Sequence, residues 1–130
     1  MKRILLMDDS EIFLEVIGRA LKQAGYEVII ANDLASFQKV REKEAEDLVL
    51  DLVLMDVQMP EAFGDDIAMT LRFAHDVVTP IYLLSSLSDH ELHERANEAQ
   101  IDGFISKNIG VERIIEKVRR ILEPADPPPA

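Results

Sequence analysis

Apolar residues follow two alternating patterns along this chain, short unbroken runs and longer stretches with helical spacing. The short runs are typical of strands buried on both faces of a parallel sheet. The longer stretches repeat an apolar residue every three or four positions, which is typical of amphipathic helices. This alternation predicts five strands, each followed by a helix. The predicted strands are residues 3–7, 27–31, 52–56, 80–84 and 103–106.

Helix boundaries are marked by residues with known capping preferences. Ser10 is a suitable N-cap for the first helix, and Gly25 is suited to the left-handed conformation that ends it. Ser88 and Glu91 form a capping-box pattern at the start of the fourth helix. The apolar positions expected to face the core are Ile12, Phe13, Val16, Ile17, Ala20 and Leu21 in the first helix, Leu34, Phe37 and Val40 in the second, Ile67, Leu71 and Ala74 in the third, Leu92, Ala96 and Ala99 in the fourth, and Val111, Ile114, Ile115, Val118 and Leu122 in the fifth.

Alternating strands and helices predict an α/β fold with a doubly wound, five-stranded parallel sheet. Because crossovers between parallel strands are right-handed, few topologies remain, and we predict the strand order 2-1-3-4-5. The first and third strands are then neighbours, and sites in such sheets lie beyond the carboxyl ends of the strands. Asp8 and Asp9 after the first strand should therefore lie beside Asp56 at the end of the third.

Length and composition favour one cytoplasmic domain. A chain of 130 residues is of single-domain size, and we assign residues 1–123 to the domain and the proline-rich residues 124–130 to a flexible tail or the start of a linker. The absence of cysteine excludes disulfides, thiolate metal sites and cysteine nucleophiles. The first apolar stretch ends at Met7, which is too short for a signal peptide or a membrane span.

The formal net charge of −11 limits the partners of this domain. Its 25 acidic residues are spread along the chain rather than gathered in a tail. Such a surface repels the phosphates of nucleic acids and of anionic membranes. We therefore expect no nucleic acid and no membrane among its partners, but proteins or cations.

Polar residues at the predicted sheet edge supply the groups that phosphoryl transfer requires. Three converging carboxylates repel one another unless a cation lies between them, and Mg²⁺ suits a site with few carboxylates and retained waters. Ser85 comes at the end of the fourth strand, and Lys107 follows the fifth. A carboxylate can attack phosphorus, while a metal, an ammonium and a hydroxyl neutralise charge on the phosphoryl oxygens.

Taken together, these motifs resemble the receiver domain of bacterial two-component response regulators, over residues 2–122. The motifs that stand in the family's order, at nearly its spacing, are Asp8-Asp9, Asp56, Met59-Pro60, Gly64, Ser85 and Gly103-Phe104-Ile105-Ser106-Lys107. The resemblance implies a flavodoxin-like fold of five strand–helix units. It also implies a signalling switch rather than an enzyme with a separate substrate.

The resemblance implies a role for each residue near the predicted acidic site. Asp56 would accept a phosphoryl group from a sensor histidine kinase or a phosphotransfer protein. Mg²⁺ would be ligated by Asp9, Asp56 and the backbone carbonyl of Gln58, with Asp8 holding a metal-bound water. Lys107 would pair with the phosphoryl group.

Two further residues would form the switch in a protein of this family. Ser85 would move to bond a phosphoryl oxygen, which would let Phe104 rotate inward. The face made by the fourth helix, the fifth strand and the fifth helix would change as a result. That face would signal to a downstream effector protein or output domain.

Several positions depart from the usual pattern of the family. Asn108 stands where a proline joined by a cis bond is usual, and cis costs roughly 2.5–4 kcal/mol before any other residue. We therefore predict a trans Lys107-Asn108 bond. Ser85 stands where threonine is common. Gln58 and Leu87 occupy positions that flank the path of the hydrolytic water, and because Leu87 cannot orient water we predict slow self-dephosphorylation.

Three other functions are compatible with parts of the sequence. A hydrolase of the haloacid dehalogenase type would need a second aspartate where this chain has Gln58. A flavodoxin-like flavin binder would need a phosphate-binding loop where this chain has Asp8 and Asp9. A receiver-like interaction module that is not phosphorylated is disfavoured by the intact acidic residues and Lys107, but Asn108 leaves it open.

Overall fold

A computed structural model of the protein describes residues 1–31, 39, 49–56, 79–99 and 101–123. The predicted second and third helices lie outside the described residues. So do the loop with Gln58, Met59, Pro60 and Gly64, the tail from residue 124, and the side chain of Ala99. The three helices of the described part are α1 (Glu11–Gln23), α2 (Asp89–Ala99) and α3 (Val111–Leu122), which correspond to the first, fourth and fifth predicted helices.

Five parallel strands form one sheet in the order β2-β1-β3-β4-β5, which confirms the predicted fold class and topology. The strands are β1 (Arg3–Met7), β2 (Glu27–Ala31), β3 (Leu52–Met55), β4 (Ile81–Ser85) and β5 (Gly103–Ser106).

Three strand boundaries, the end of β3 and both ends of β4, differ by one residue from the prediction. Strand β3 ends at Met55 rather than Asp56, although the Asp56 N–H still donates to the Met7 carbonyl at 2.8 Å. Strand β4 begins at Ile81, because Pro80 has no N–H to give to a sheet ladder. It extends to Ser85, which pairs with Ser106 of β5. Asp56 is therefore attached to the sheet at the point where its side chain leaves it.

The sheet is buried on both faces. Ile4, Leu6, Leu52 and Leu54 lie in one core cluster with α1 and α3, while Leu5, Met7, Val53 and Met55 lie in a cluster on the other face. Because the side chains of a strand alternate between faces, such strands carry no polar position until they end. The first polar side chains after β1 and β3 are carboxylates.

The caps of α1 and α2 follow the sequence signals. The Ser10 hydroxyl accepts a hydrogen bond from the Phe13 N–H at 3.2 Å, and the Ser88 hydroxyl accepts one from the Glu91 N–H at 3.2 Å. Gly25 has φ of 99°, as the left-handed stop requires. The predicted starts of both helices and the predicted end of α1 are therefore confirmed.

The predicted inner face of α1 is partly wrong. Ile12 and Val16 are 79% and 46% exposed, whereas Leu14 and Gly18 are buried. Residues 14, 17, 18 and 21 form the stripe that packs on the sheet. Apolar residues occupy more than one side of this helix, so helical spacing alone permits two faces and the sheet selects one of them. Val111 of α3 is also exposed rather than buried.

Candidate functional site

Three carboxylates meet where β1 and β3 end. Asp8, Asp9 and Asp56 each place an oxygen within 4.8 Å of the others. Asp8 and Asp56 are buried, while Asp9 is exposed. The order of the strands brings them together, because Met7 and Met55 are direct partners in the sheet and each precedes an aspartate. The cluster is therefore a pocket of negative charge with one side open to solvent.

Asp8 is held firmly at the base of this cluster. Its N–H donates to the Ala31 carbonyl at 3.2 Å, and its Oδ1 accepts the Ser10 N–H at 2.8 Å. Its Oδ2 lies 2.5 Å from the Lys107 Nζ, as a contact between charges rather than a directed hydrogen bond. Burial makes such compensation necessary, because a lone carboxylate away from water is costly. Asp8 thus couples the start of α1 to Lys107.

Lys107 comes from the opposite side of the site. It follows β5 and begins a single 3₁₀ turn, Lys107–Ile109, whose N-cap is Ser106. Its Nζ lies 3.7 Å from Oδ2 of Asp56, so one ammonium faces both buried carboxylates. The side chain is only 18% exposed. Lys107 is therefore a partly buried cation at the acidic cluster and not a solvated surface lysine.

The ring of Phe13 also contacts this ammonium. Its centroid lies 4.2 Å from the Lys107 Nζ. The sequence pattern placed Phe13 among the core positions of α1, and it does pack partly against the core. Its proximity to Lys107 has no sequence signal, because the two positions are 94 residues apart along the chain.

The turn that carries Lys107 has the trans peptide bond predicted for Lys107-Asn108. The Ser106 hydroxyl accepts the Asn108 N–H at 3.2 Å, and the Asn108 side-chain amide donates to the Ser86 carbonyl at 3.2 Å. Asn108 therefore ties the loop after β5 to the loop after β4. Sequence reasoning treated Asn108 only as a missing proline and did not find this link.

Ser85 and Phe104 lie on the neighbouring strands β4 and β5. Ser85 is buried, and its hydroxyl accepts the Leu87 N–H at 3.3 Å. Phe104 is half-buried against a small cluster built from Leu83, Leu92 and Ala96, which Leu87 also contacts. The rings of His93 and Phe104 meet edge to face with centroids 6.3 Å apart. Leu87 thus donates its backbone N–H to the Ser85 hydroxyl and packs on the cluster that also contacts Phe104.

The acidic cluster has the composition that a hard divalent cation selects. Mg²⁺ takes oxygen ligands from one or a few carboxylates and keeps several waters, which suits two buried aspartates and one exposed aspartate within 4.8 Å. Among the described residues, three or more potential metal ligands come together at this cluster. Gln58, the fourth predicted ligand, lies outside the described residues.

A known protein family matches most of this chain. The model of the response regulator receiver domain matches residues 4–119. The chain belongs to the response regulator receiver domain family. Receivers are signalling modules of two-component systems, and they bind Mg²⁺ at an acidic pocket of this kind. The resemblance found in the sequence is thus confirmed at the level of the family.

Individual relatives agree with this assignment to the receiver family. Response regulator RR06 of Streptococcus pneumoniae is 29% identical over 119 residues, which are 92% of this chain and 52% of RR06. The polar-differentiation response regulator DivK of Brucella anthropi is 27% identical over 123 residues, covering 93% of this chain and 96% of DivK. The chain therefore spans about half the length of RR06 and nearly all of DivK.

Solved receiver structures share the fold. The chemotaxis response regulator CheY4 of Vibrio cholerae superposes with a TM-score of 0.77 at 25% identity, covering 94% of this chain and 99% of CheY4. Among the described residues of this receiver, no helix is long and apolar enough to cross a membrane.

Proposed function

We propose that this receiver accepts a phosphoryl group on Asp56 and passes the signal on through the face formed by α2, β5 and α3. The observation that carries the proposal is the position of Asp56, a buried carboxylate 3.7 Å from the ammonium of Lys107 and within 4.8 Å of two further carboxylates. The donor would be a sensor histidine kinase or a phosphotransfer protein, and the recipient of the signal a downstream effector or output domain.

The transfer itself needs little from the protein beyond position and charge. A carboxylate oxygen of Asp56 attacks the phosphorus of a phosphohistidine, the phosphorus–nitrogen bond breaks, and the imidazole nitrogen keeps the electron pair. Negative charge develops on the equatorial oxygens, and Lys107 neutralises part of it. Because Lys107 already lies between Asp8 and Asp56, it needs only a small displacement to contact a phosphoryl group.

Asp9, Asp56 and the Gln58 carbonyl would ligate Mg²⁺, and Asp8 would act through a metal-bound water. The bound ion would supply positive charge at the phosphoryl oxygens. The exposed position of Asp9 supports this role, since a metal that retains waters needs one open side. The firm anchoring of Asp8 by Ser10 supports a role in orienting rather than in reacting.

Ser85 and Phe104 would form the switch. The Ser85 hydroxyl accepts a hydrogen bond from the Leu87 N–H. Movement of this hydroxyl towards a phosphoryl oxygen would break that hydrogen bond. Leu87 packs on the same cluster as Phe104, so its displacement would change the support of the Phe104 ring. The exposed His93 of α2 lies against that ring, which links the change to the surface of α2.

Incubation with acetyl phosphate and Mg²⁺ tests the proposal. Intact mass spectrometry is expected to show a gain of one phosphoryl group, which hydroxylamine removes because acyl phosphates react with it. Chelation of Mg²⁺ with EDTA should prevent the gain. A wild-type protein whose mass never changes would favour a receiver that signals by partner contact without phosphorylation.

The lifetime of the phosphoryl group should be set in part by Leu87. We expect Leu87→Glu to accelerate loss of the acyl phosphate on the order of tenfold, because a carboxylate can orient the attacking water and leucine cannot. Decay of the phosphorylated mass after removal of acetyl phosphate measures this. Leu87→Met keeps the contact with the apolar cluster and should leave the decay unchanged. Equal decay rates for Leu87→Glu and wild type would contradict this role.

We also propose the bounds of the receiver domain and its cellular location. We place the domain at residues 1–123 and a tail or linker at 124–130, consistent with the family match over residues 4–119. The expected cytoplasmic location follows from the proposed kinase and effector partners. Response regulators act with histidine kinases or phosphotransfer proteins and with effectors.

A further inference from the structure

The ammonium of Lys107 has an aromatic neighbour that the proposed chemistry does not use. Its Nζ lies 4.2 Å from the centroid of the Phe13 ring. A cation over the face of a phenyl ring at this distance is attracted by the negative face of the ring, and the attraction grows as water is excluded. The Lys107 side chain is 82% shielded from solvent, since 18% of it is exposed.

The backbone of Phe13 is linked through Ser10 to Asp8, the residue that pairs with Lys107. Asp8 accepts the Ser10 N–H through Oδ1, and the Ser10 hydroxyl accepts the Phe13 N–H. The Asp8 Oδ2 contacts the Lys107 Nζ, and the Phe13 ring lies under that Nζ. These four contacts form a closed series that runs from Asp8 through Ser10, Phe13 and Lys107 back to Asp8. The first turn of α1 is therefore built around the ammonium.

The uncharged Phe13 ring can restrict the position of the Lys107 ammonium without attracting it away from Asp56 as a carboxylate would. The ammonium lies 2.5 Å from Asp8 and 3.7 Å from Asp56, so charge attraction alone favours Asp8. A phosphoryl group on Asp56 would have to draw the ammonium away from Asp8. The Phe13 ring carries no charge and does not compete for the ammonium in this way, yet it limits the freedom of a long, flexible side chain.

We propose that Phe13 is a positioning residue, which holds the Lys107 ammonium above the Asp8 and Asp56 carboxylates through the face of its ring. The contact between Phe13 and Lys107 does not depend on phosphorylation, but its effect on phosphoryl transfer rests on the function proposed above. Two measurements separate these parts.

The first measurement concerns the contact alone. The ε-methylene protons of Lys107 should resonate upfield of those of other lysines in the NMR spectrum of the unphosphorylated protein, because they lie in the shielding region of the ring. Phe13→Leu should remove the displacement, and Phe13→Tyr, which keeps a ring face, should retain it. An ordinary Lys107 shift in the wild type, or an unchanged shift in Phe13→Leu, would overturn the proposal whether or not the protein is phosphorylated.

The second measurement concerns the consequence for transfer. With acetyl phosphate and Mg²⁺, Phe13→Leu is expected to be phosphorylated about threefold to tenfold more slowly than wild type, and Phe13→Tyr at nearly the wild-type rate. In a Lys107→Met background, Phe13→Leu should cause no further loss, because the ring then has no cation to hold. Ile12→Leu, at the exposed neighbouring position, serves as the control and should keep the full rate.

The outcomes of the two measurements are distinguishable. Loss of the upfield shift in Phe13→Leu together with no phosphorylation of any protein would support the contact and refute the proposed phosphorylation. An equal slowing of Phe13→Leu and Phe13→Tyr, or an undiminished effect of Phe13→Leu in the Lys107→Met background, would show a packing effect and overturn the positioning role. Leucine preserves most of the apolar contact with the core, and thermal unfolding of each variant checks that the fold is retained.

Discussion

Asp56→Asn is expected to abolish phosphorylation by acetyl phosphate, reducing the rate at least about a hundredfold. The amide has nearly the shape of the carboxylate but no nucleophilic oxygen. Its backbone would still donate to the Met7 carbonyl, so the residue should stay in place at the end of β3. Intact mass after incubation with acetyl phosphate and Mg²⁺ provides the measurement.

Asp51→Asn is the matched control for this variant. Asp51 immediately precedes β3, at the end of the strand opposite to Asp56. Its Oδ2 accepts the Arg3 N–H at 2.7 Å. An asparagine oxygen can accept the same hydrogen bond, so the local structure should be kept. Asp51→Asn should be phosphorylated like wild type. If Asp56→Asn gained a phosphoryl group at the rate of Asp51→Asn, another residue would be the acceptor.

Lys107→Met should affect both phosphorylation and stability. We expect the rate of phosphorylation by acetyl phosphate to fall about a hundredfold, since one preorganised charge that stabilises developing negative charge typically contributes this much. In the absence of divalent cations, the free energy of unfolding should fall by about 3 kcal/mol, because the buried Asp8 loses its cation. Urea unfolding measures the second effect.

Two comparisons show whether charge at Asp8 causes the loss of stability. Adding Asp8→Asn to Lys107→Met should restore much of the free energy of unfolding, because no uncompensated charge is then buried. Mg²⁺ should stabilise Lys107→Met more than it stabilises wild type, because the ion would replace the missing compensation. A Lys107→Met variant as stable as wild type without divalent cations would contradict this account of the pair.

The strands followed from the sequence because an apolar run is a local signal, and their order followed from the right-handed crossovers of parallel sheets. An apolar run such as residues 52–55 is too short for a helix and has no polar face, so a buried strand is the natural structure. The convergence of Asp8 and Asp56 then required only the strand order. The face of α1 could not be obtained in the same way, since Ile12 and Leu14 are equally apolar and only packing on the sheet distinguishes them.

The contacts around Lys107 depend on distances that spacing does not encode. Asn108 lies 22 residues from Ser86 along the chain, and Phe13 is further still from Lys107. Each contact requires two segments that are distant in the sequence to approach within hydrogen-bonding or ring-contact distance. The sequence could place Lys107 beside the acidic residues, but not its contact with Phe13 or the hydrogen bond from Asn108 to Ser86.

The hydrogen bond from Asn108 to Ser86 joins the loop after β4 to the turn after β5. A proline in place of Asn108 would stiffen its own loop through its ring and leave the neighbouring loop alone. The Asn108 amide instead donates to the Ser86 carbonyl, so we expect a shift of the backbone beside Ser85 to be transmitted to the turn that holds Lys107. This hydrogen bond can break and form again, whereas the covalent ring of a proline is permanent. The loops that carry Ser85 and Lys107 are thus joined by a hydrogen bond, and we expect them to respond as a pair to the proposed phosphorylation of Asp56.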